Sequence, residues 1–264
     1  MSKVFEALER AEREQAGLSS RPKGKKPLPD DDSGESRLDG LVDLLETSHE
    51  RDRLKKLSPW ILVRSHPNSA FVEQIKKIRT HIHHCAGPTC PRVIVVTSAI
   101  AGEGKSLLSA NLAFSIAQGI KDSVYLVDSD IRNPQIHKYF SLPQSPGLSD
   151  YLNGEAKLPQ IIHSRGIERM RFLPAGKRKK NPIELISTTK MGGLLTELRK
   201  LEGDPFIILD STPILQTSES TILSKMADGI IFVIRQNMTP RNAVKDALTV
   251  LGGERIIGLV LNDI

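Results

Sequence analysis

The sequence predicts an α/β fold, a mostly parallel β-sheet flanked by helices with a helical or disordered N-terminal extension. Three observations carry that expectation. Continuous β-branched runs such as residues 93–97 recur along the chain, the pattern of strands covered on both faces. Helix-like segments alternate with them, and strand–helix–strand repeats imply parallel pairing through right-handed crossovers. Ahead of the alternation, residues 17–37 (GLSSRPKGKKPLPDDDSGESR) have the Pro, Gly, Ser and charge content of a linker. The expected division is an N-terminal extension, 1–59, and a compact domain, 60–264, opening at Trp60.

Residues 1–16 read as an amphipathic helix, with Val4, Phe5, Leu8 and Ala11 on one face and Glu6, Arg10, Glu12 and Arg13 turned away. So short a helix is not stable alone, and its stripe either folds back on the parent domain or docks onto a partner. A second helical pattern holds Leu38, Leu41, Val42, Leu44 and Leu45. Within the domain, residues 69–84 read as a helix, 93–97 as a strand and 106–118 as an apolar helix after a glycine-bearing turn. Further strands are expected at 124–128, 170–174, 206–210, 229–234 and 256–261. Helices are expected at 184–186, 192–201, 219–226 and 241–251.

The chain's 264 residues, 39% of them hydrophobic, suffice for one sizeable core plus an appendage. Lys and Arg total 37 against 31 Asp and Glu, a net charge of +6 that admits an anionic partner and selects none. No stretch approaches the ~20 apolar residues that span a bilayer. The opening MSKVFEALERAEREQ lacks the apolar core and cleavage site of a signal peptide. A cytoplasmic, reducing location follows, in which Cys85 and Cys90 are not expected to form a disulfide. With His81, His83 and His84 they invite a metal. Cys-x4-Cys is not the usual structural-zinc pair, however, and a short loop leading into a strand is the expectation. The densest basic run, Lys177-Arg178-Lys179-Lys180, has no interleaved aromatics and reads as a solvated loop near the nucleotide or a subunit contact. No nucleic-acid partner is expected.

The strongest chemical signal is VIVVTSAIAGEGKSLLSANLAFSIA, residues 93–117. A buried strand runs into Gly102-Glu103-Gly104, and Lys105-Ser106 opens a helix. Small residues let backbone N–H groups curl round phosphates, and the helix start adds positive potential. Lys105, expected at a solvent-accessible helix start, can reach the β- and γ-phosphates, and the Ser106 hydroxyl can ligand Mg2+. Ala99 stands where the phosphate-loop pattern Gly-x-x-x-x-Gly-Lys-Ser/Thr has its first glycine. Two other strands end in acid: Asp128 continues into Ser129-Asp130-Ile131-Arg132, and Asp210 into Ser211-Thr212-Pro213. Ligands of open α/β sheets sit outside the carboxyl ends of the strands, where these acids and the loop converge. Each acid could alternatively cap the helix that follows.

TSAIAGEGKS, VYLVDSDIR and IILDSTP together resemble the bacterial tyrosine kinase family, whose members regulate capsule and exopolysaccharide assembly. GLSDYLNGEA, LPAGKRKKNPIELI, MADGIIFVIR and IIGLVLND extend the resemblance over about residues 60–264. MSKVFEALERAE looks like the start of a subgroup without fused transmembrane segments. The resemblance implies a P-loop NTPase-like domain with ATP and Mg2+ as cofactors. The implied catalytic residues are Lys105, Asp128, Asp130 and Asp210, the two neighbouring acids orienting or deprotonating an acceptor tyrosine. Ala101, Gly102, Glu103, Gly104, Lys105, Ser106, Leu107 and Arg132 would hold the nucleotide, Asn262 the adenine, and Ser106, Asp128 and Asp210 the metal. The implied partners are a protein tyrosine substrate, further copies of the chain, and a membrane-bound polysaccharide co-polymerase or chain-length determinant. That last partner would recruit the chain to the inner face of the membrane.

Departures from the family pattern bear on these expectations. Members usually carry a C-terminal tyrosine cluster, whereas this chain holds only Tyr125, Tyr139 and Tyr151, so phosphorylation of a tail is not expected for the chain as given. The family's oligomerisation motif, Glu-x-x-Arg-x-x-Arg, reads Glu73, Lys76, Arg79, and lysine lacks the planar fork of arginine. Two alternatives stand beside the kinase. One is an ATP-binding regulatory module with little kinase activity. The other is a septum-placing or partitioning ATPase, disfavoured because Ile100 and Ala101 occupy the Lys-Gly positions of that group's loop.

Overall fold

Six strands form one parallel sheet in the order β3-β2-β4-β1-β5-β6: β1 (Val93–Ser98), β2 (Val124–Asp128), β3 (Met170–Leu173), β4 (Phe206–Asp210), β5 (Gly229–Arg235) and β6 (Ile256–Asn262). This computed structural model describes residues 57–84, 90–119, 121–201, 203–253 and 255–263. The helix read at 1–16, the linker at 17–37, the pattern from Leu38 to Leu45, and Cys85 lie outside the described residues.

Helices flank the sheet in chain order: α1 (Leu62–Ser65), α2 (Ala70–His84), α3 (Lys105–Ala117), α4 (Ile136–Tyr139), α5 (Leu148–Leu152), α6 (Leu158–Ile161), α7 (Pro182–Ile186), α8 (Thr189–Lys200), α9 (Ser218–Met226) and α10 (Arg241–Leu251). Every strand read from the apolar runs is present within a residue of its expected bounds. The reason is visible in β1, whose six residues are all buried, so its pattern is apolar throughout rather than alternating. Ile94 and Val96 face a core with Ile75 of α2 and Leu112 of α3, while Val93 and Val95 face Leu194 and Leu198 of α8. A buried Val or Ile contributes about 1.5–3 kcal/mol, so truncating any of β1's valines or Ile94 should be costly.

The short helices α1, α4, α5 and α6 do not appear in the sequence reading, because four or five residues cannot display a 3.6-residue period. Helix α7 starts at Pro182 rather than Glu184, since proline's fixed φ suits a first helical turn. Ahead of Trp60, Leu57 packs against the core, and Ser58 N–H donates to the Tyr139 carbonyl at 2.9 Å. Among the described residues no helix is long and apolar enough to cross a membrane.

Candidate active site

Strands β1, β2 and β4 are neighbours whose carboxyl ends open on one edge, so the three motifs meet there. After β1, the chain turns through Gly102 (φ 83) and Gly104 (φ 94) into α3. Both glycines hold left-handed backbone that an L side chain rarely adopts, and a Cβ on Gly104 would stand 2.3 Å from the Asn262 amide nitrogen. Ala99 is buried and outside that region, which is why alanine serves where the pattern has its first glycine. Among the described residues, no N–H from Gly102 through Leu107 donates a hydrogen bond. Such a run of unused donors at a helix start is a ready cradle for phosphate.

Lys105 is not at a solvent-accessible position: its side chain is buried, the residue being 7% exposed. Burial lowers its pKa, opposed by the charges of Asp210, Asp130 and Glu103. The ammonium therefore lies within electrostatic reach of three carboxylates. Ser106 opens the same helix beside Asp210.

Asp128 and Asp210 are both fully buried. Asp128 is shared between the two roles the sequence left open: Oδ2 accepts from the N–H groups of Gln135 (3.1 Å) and Ile136 (3.0 Å), capping α4, while Oδ1 accepts nothing among the described residues. Burial, then the Asp210 charge, pushes its carboxyl well above the usual range. Asp210 Oδ1 accepts from the Ser109 hydroxyl at 3.2 Å, and Oδ2 is likewise buried without a donor. Burial raises Asp210 to about 7 against the pull of the Ser106 hydroxyl and the Lys105 ammonium. Asp130, less buried, accepts from Asn133 N–H at 2.8 Å. Two orphaned oxygens on adjacent buried carboxylates fit an oxygen-seeking dication such as Mg2+.

Three expected nucleotide contacts are otherwise engaged. Arg132 binds Glu219 at the start of α9 through Nε (2.9 Å) and a terminal nitrogen (2.7 Å). The Glu103 side chain is fully buried and turns from the cradle toward Ile100, Arg235 and Thr239. Asn262, read as an adenine contact, donates its side-chain amide to the Glu103 carbonyl at 2.9 Å. Ala101 and Gly102 are exposed at the loop tip and Leu107 is half-buried.

Other singled-out residues are used structurally. The cysteine–histidine group is spread out: His81 meets the Ile257 carbonyl, His83 faces Asp122, and the Cys90 thiol donates to the Ile82 carbonyl. No group of three metal-ligating side chains occurs among the described residues. Lys177 and Lys179 both meet Glu155, at 3.3 and 3.2 Å. Glu73 pairs with Lys76 on the exposed face of α2, whereas Arg79 donates to the Ser115 carbonyl of α3 at 2.7 Å.

No family model matches the chain. Tyrosine-protein kinase YwqD of Bacillus subtilis is 30% identical over 214 residues, 80% of this chain and 89% of the relative. Tyrosine-protein kinase ptk of Acinetobacter johnsonii is also 30% identical, over 212 residues, but the match spans only 28% of its length. EpsB of Ralstonia nicotianae is likewise matched over only 28% of its length. Among solved structures, the kinase domain of the Escherichia coli tyrosine kinase ETK matches at TM-score 0.73 and 27% identity, covering 79% of this chain and 81% of that one. The chimerical protein CapA2B2 matches at 0.72 and 31%, covering 78% and 91%. The septum site-determining protein MinD of Pyrococcus horikoshii, at 22% identity and TM-score 0.54, shares the fold. With 30% identity across 89% of a tyrosine-protein kinase, and three nucleotide motifs gathered at one sheet edge, the chain belongs to the bacterial tyrosine kinase family.

Proposed function

We propose that the chain is an ATP-dependent protein-tyrosine kinase acting in exopolysaccharide or capsule production. The observation that carries this reading is the pair of buried carboxylates, Asp128 and Asp210, each with an unpartnered oxygen beside the Lys105–Ser106 helix start. The unused N–H groups of Gly102 to Leu107 would bind the phosphate chain, and Lys105 would neutralise charge on the β- and γ-phosphates. Asp128, Asp210 and Ser106 would hold Mg2+, which when bound supplies charge neutralisation between those phosphates. Asp130, the most accessible acid, would accept the proton of the acceptor tyrosine or orient its hydroxyl. The loose transition state of phosphoryl transfer asks for positioning and charge, which these residues would provide.

The family resemblance supports three further parts of the reading. Copies of the chain assemble through the exposed α2 face at Glu73 and Lys76. A membrane-bound polysaccharide co-polymerase recruits the protein from the cytoplasm to the inner face of the membrane. Residues 1–16, within the 1–59 extension, supply the segment that docks onto it. The test is incubation with Mg-ATP, a tyrosine-bearing substrate and a candidate activator fragment, read by phosphopeptide mass spectrometry. Phosphotyrosine at the level of a Lys105→Met control would end the kinase reading.

A further inference from the structure

The phosphate loop is held from behind by one neighbouring side chain and two that are far away in sequence. Ser98 Oγ donates to the Ile100 carbonyl at 2.7 Å, Arg235 donates to the Gly102 carbonyl at 2.9 Å, and Asn262 donates to the Glu103 carbonyl at 2.9 Å. In a planar trans peptide the C=O and the following N–H point in opposite directions. Fixing these carbonyls therefore aims the N–H groups of Ala101, Glu103 and Gly104 the other way, into the cradle. One side chain joins this bracing together. The carboxylate of Glu103, fully buried, accepts from Ile100 N–H at 2.7 Å, closing the loop on itself. Its other oxygen accepts from the Thr239 hydroxyl and from Arg235 N–H at 3.4 Å. Thr239 in turn accepts from Arg235 N–H at 3.1 Å, and the Met238 methyl closes the space beside Gly102.

We infer that Glu103 is a positioning residue, not a nucleotide ligand: its carboxylate clamps the phosphate loop to the Arg235–Thr239 turn after β5 and so sets the direction of the phosphate-binding N–H groups. The inference rests on the nucleotide-binding reading above. A carboxylate directed at a triphosphate would repel it, whereas one buried behind the loop with three donors costs the ligand nothing. Because the aimed N–H groups serve the phosphate chain in general, the clamp acts on ADP and ATP alike.

The experiment is calorimetric titration of the full chain, in Mg2+, with ADP and with a non-hydrolysable ATP analogue. Glu103→Ala and Thr239→Val should each weaken both nucleotides by the same factor, about tenfold, as expected for loss of a charge-assisted hydrogen bond. Thr239→Ser keeps the hydroxyl and Glu103→Gln keeps an acceptor for Ile100, so both should stay within about threefold of wild type. The double variant should bind no worse than the weaker single, because both break one clamp. Unchanged or tighter binding in Glu103→Ala would overturn the inference, as would a loss confined to the ATP analogue or fully additive losses. Should Glu103→Ala fail to fold, the Thr239→Val and Thr239→Ser pair carries the same test. A wild-type chain that binds neither nucleotide overturns the nucleotide reading itself, whereas binding without phosphotransfer leaves the clamp standing and removes only the kinase.

Discussion

Asp128 and Asp210 stand directly opposite one another in the β2–β4 ladder, both fully buried, each keeping one carboxylate oxygen without a hydrogen-bond donor among the described residues. Two like charges so placed oppose folding unless a cation or a proton intervenes. The site is thus maintained at a cost to the free protein, which the proposed metal-binding role would account for.

The first prediction is a pH dependence of stability. Burial raises Asp210 to about 7 and Asp128 well above the ordinary carboxyl range. An unfolded carboxyl titrates near 4, so between about pH 4 and 7 the folded state holds protons that the unfolded state has released, and stability falls as pH rises. Thermal melts of the nucleotide-free chain should show this fall. Asp210→Asn should flatten the slope and stabilise the free protein at pH 8 by on the order of 2 kcal/mol while abolishing phosphotransfer. An unaltered slope in the variant would show that these acids are not protonated in the fold.

Lys105→Met yields the second prediction. Because the buried ammonium offsets the charge of buried Asp210, Lys105→Met should lower the melting temperature above about pH 7, where Asp210 is ionised, and change it little near pH 5. ATP affinity should nevertheless fall by about a hundredfold or more, since the proposed phosphate site loses a buried ammonium. Calorimetry giving wild-type affinity would remove Lys105 from the phosphate site.

Asp128 and Asp130 separate in a third experiment. Asp128→Asn retains a carbonyl oxygen to cap α4, so the fold should survive while turnover drops by about a hundredfold or more. Asp130→Asn, at a less buried acid, should spare nucleotide affinity and lower kcat on a tyrosine peptide to a similar degree. Equal rates in wild type and both variants would leave the acids as structural caps.

What was legible in the sequence follows a physical divide. Strands buried on both faces read as unbroken apolar runs, and an acid ending such a run stands out, so β1, β2, β4, Asp128 and Asp210 were all readable locally. The direction of polar side chains was not. Glu103 meets Thr239 across 136 residues, Asn262 meets Glu103 across 159, and Arg132 meets Glu219 across 87. No periodicity or motif spacing carries such pairings, and motif membership alone assigned all three residues to the nucleotide. The burial of Lys105 is not legible for a related reason: a helix start suggests solvent, but here the lysine is only 7% exposed.

The last prediction concerns that Arg132–Glu219 pair. Glu219 is 2% exposed and lies at the start of α9, in the segment after Asp210, while Arg132 follows Asp130 by two residues. The ion pair therefore ties together the two loops that carry the site's acids. Arg132→Ala strands a buried carboxylate, so it should destabilise the fold by about 1–3 kcal/mol, most of which Glu219→Gln in the same chain should restore. Arg132→Lys should recover little, since Glu219 is gripped by two nitrogens of one planar guanidinium. Denaturant titration of the four-member cycle measures the coupling, and titration of ATP into the same variants separates it from a nucleotide role. If Arg132→Ala loses ATP affinity with no loss of stability, and Glu219→Gln neither helps nor harms, then Arg132 leaves Glu219 for the nucleotide and the resemblance assigned it correctly. If stability falls while ATP affinity holds, the arginine is a brace between the acid loops, which is where its contacts place it.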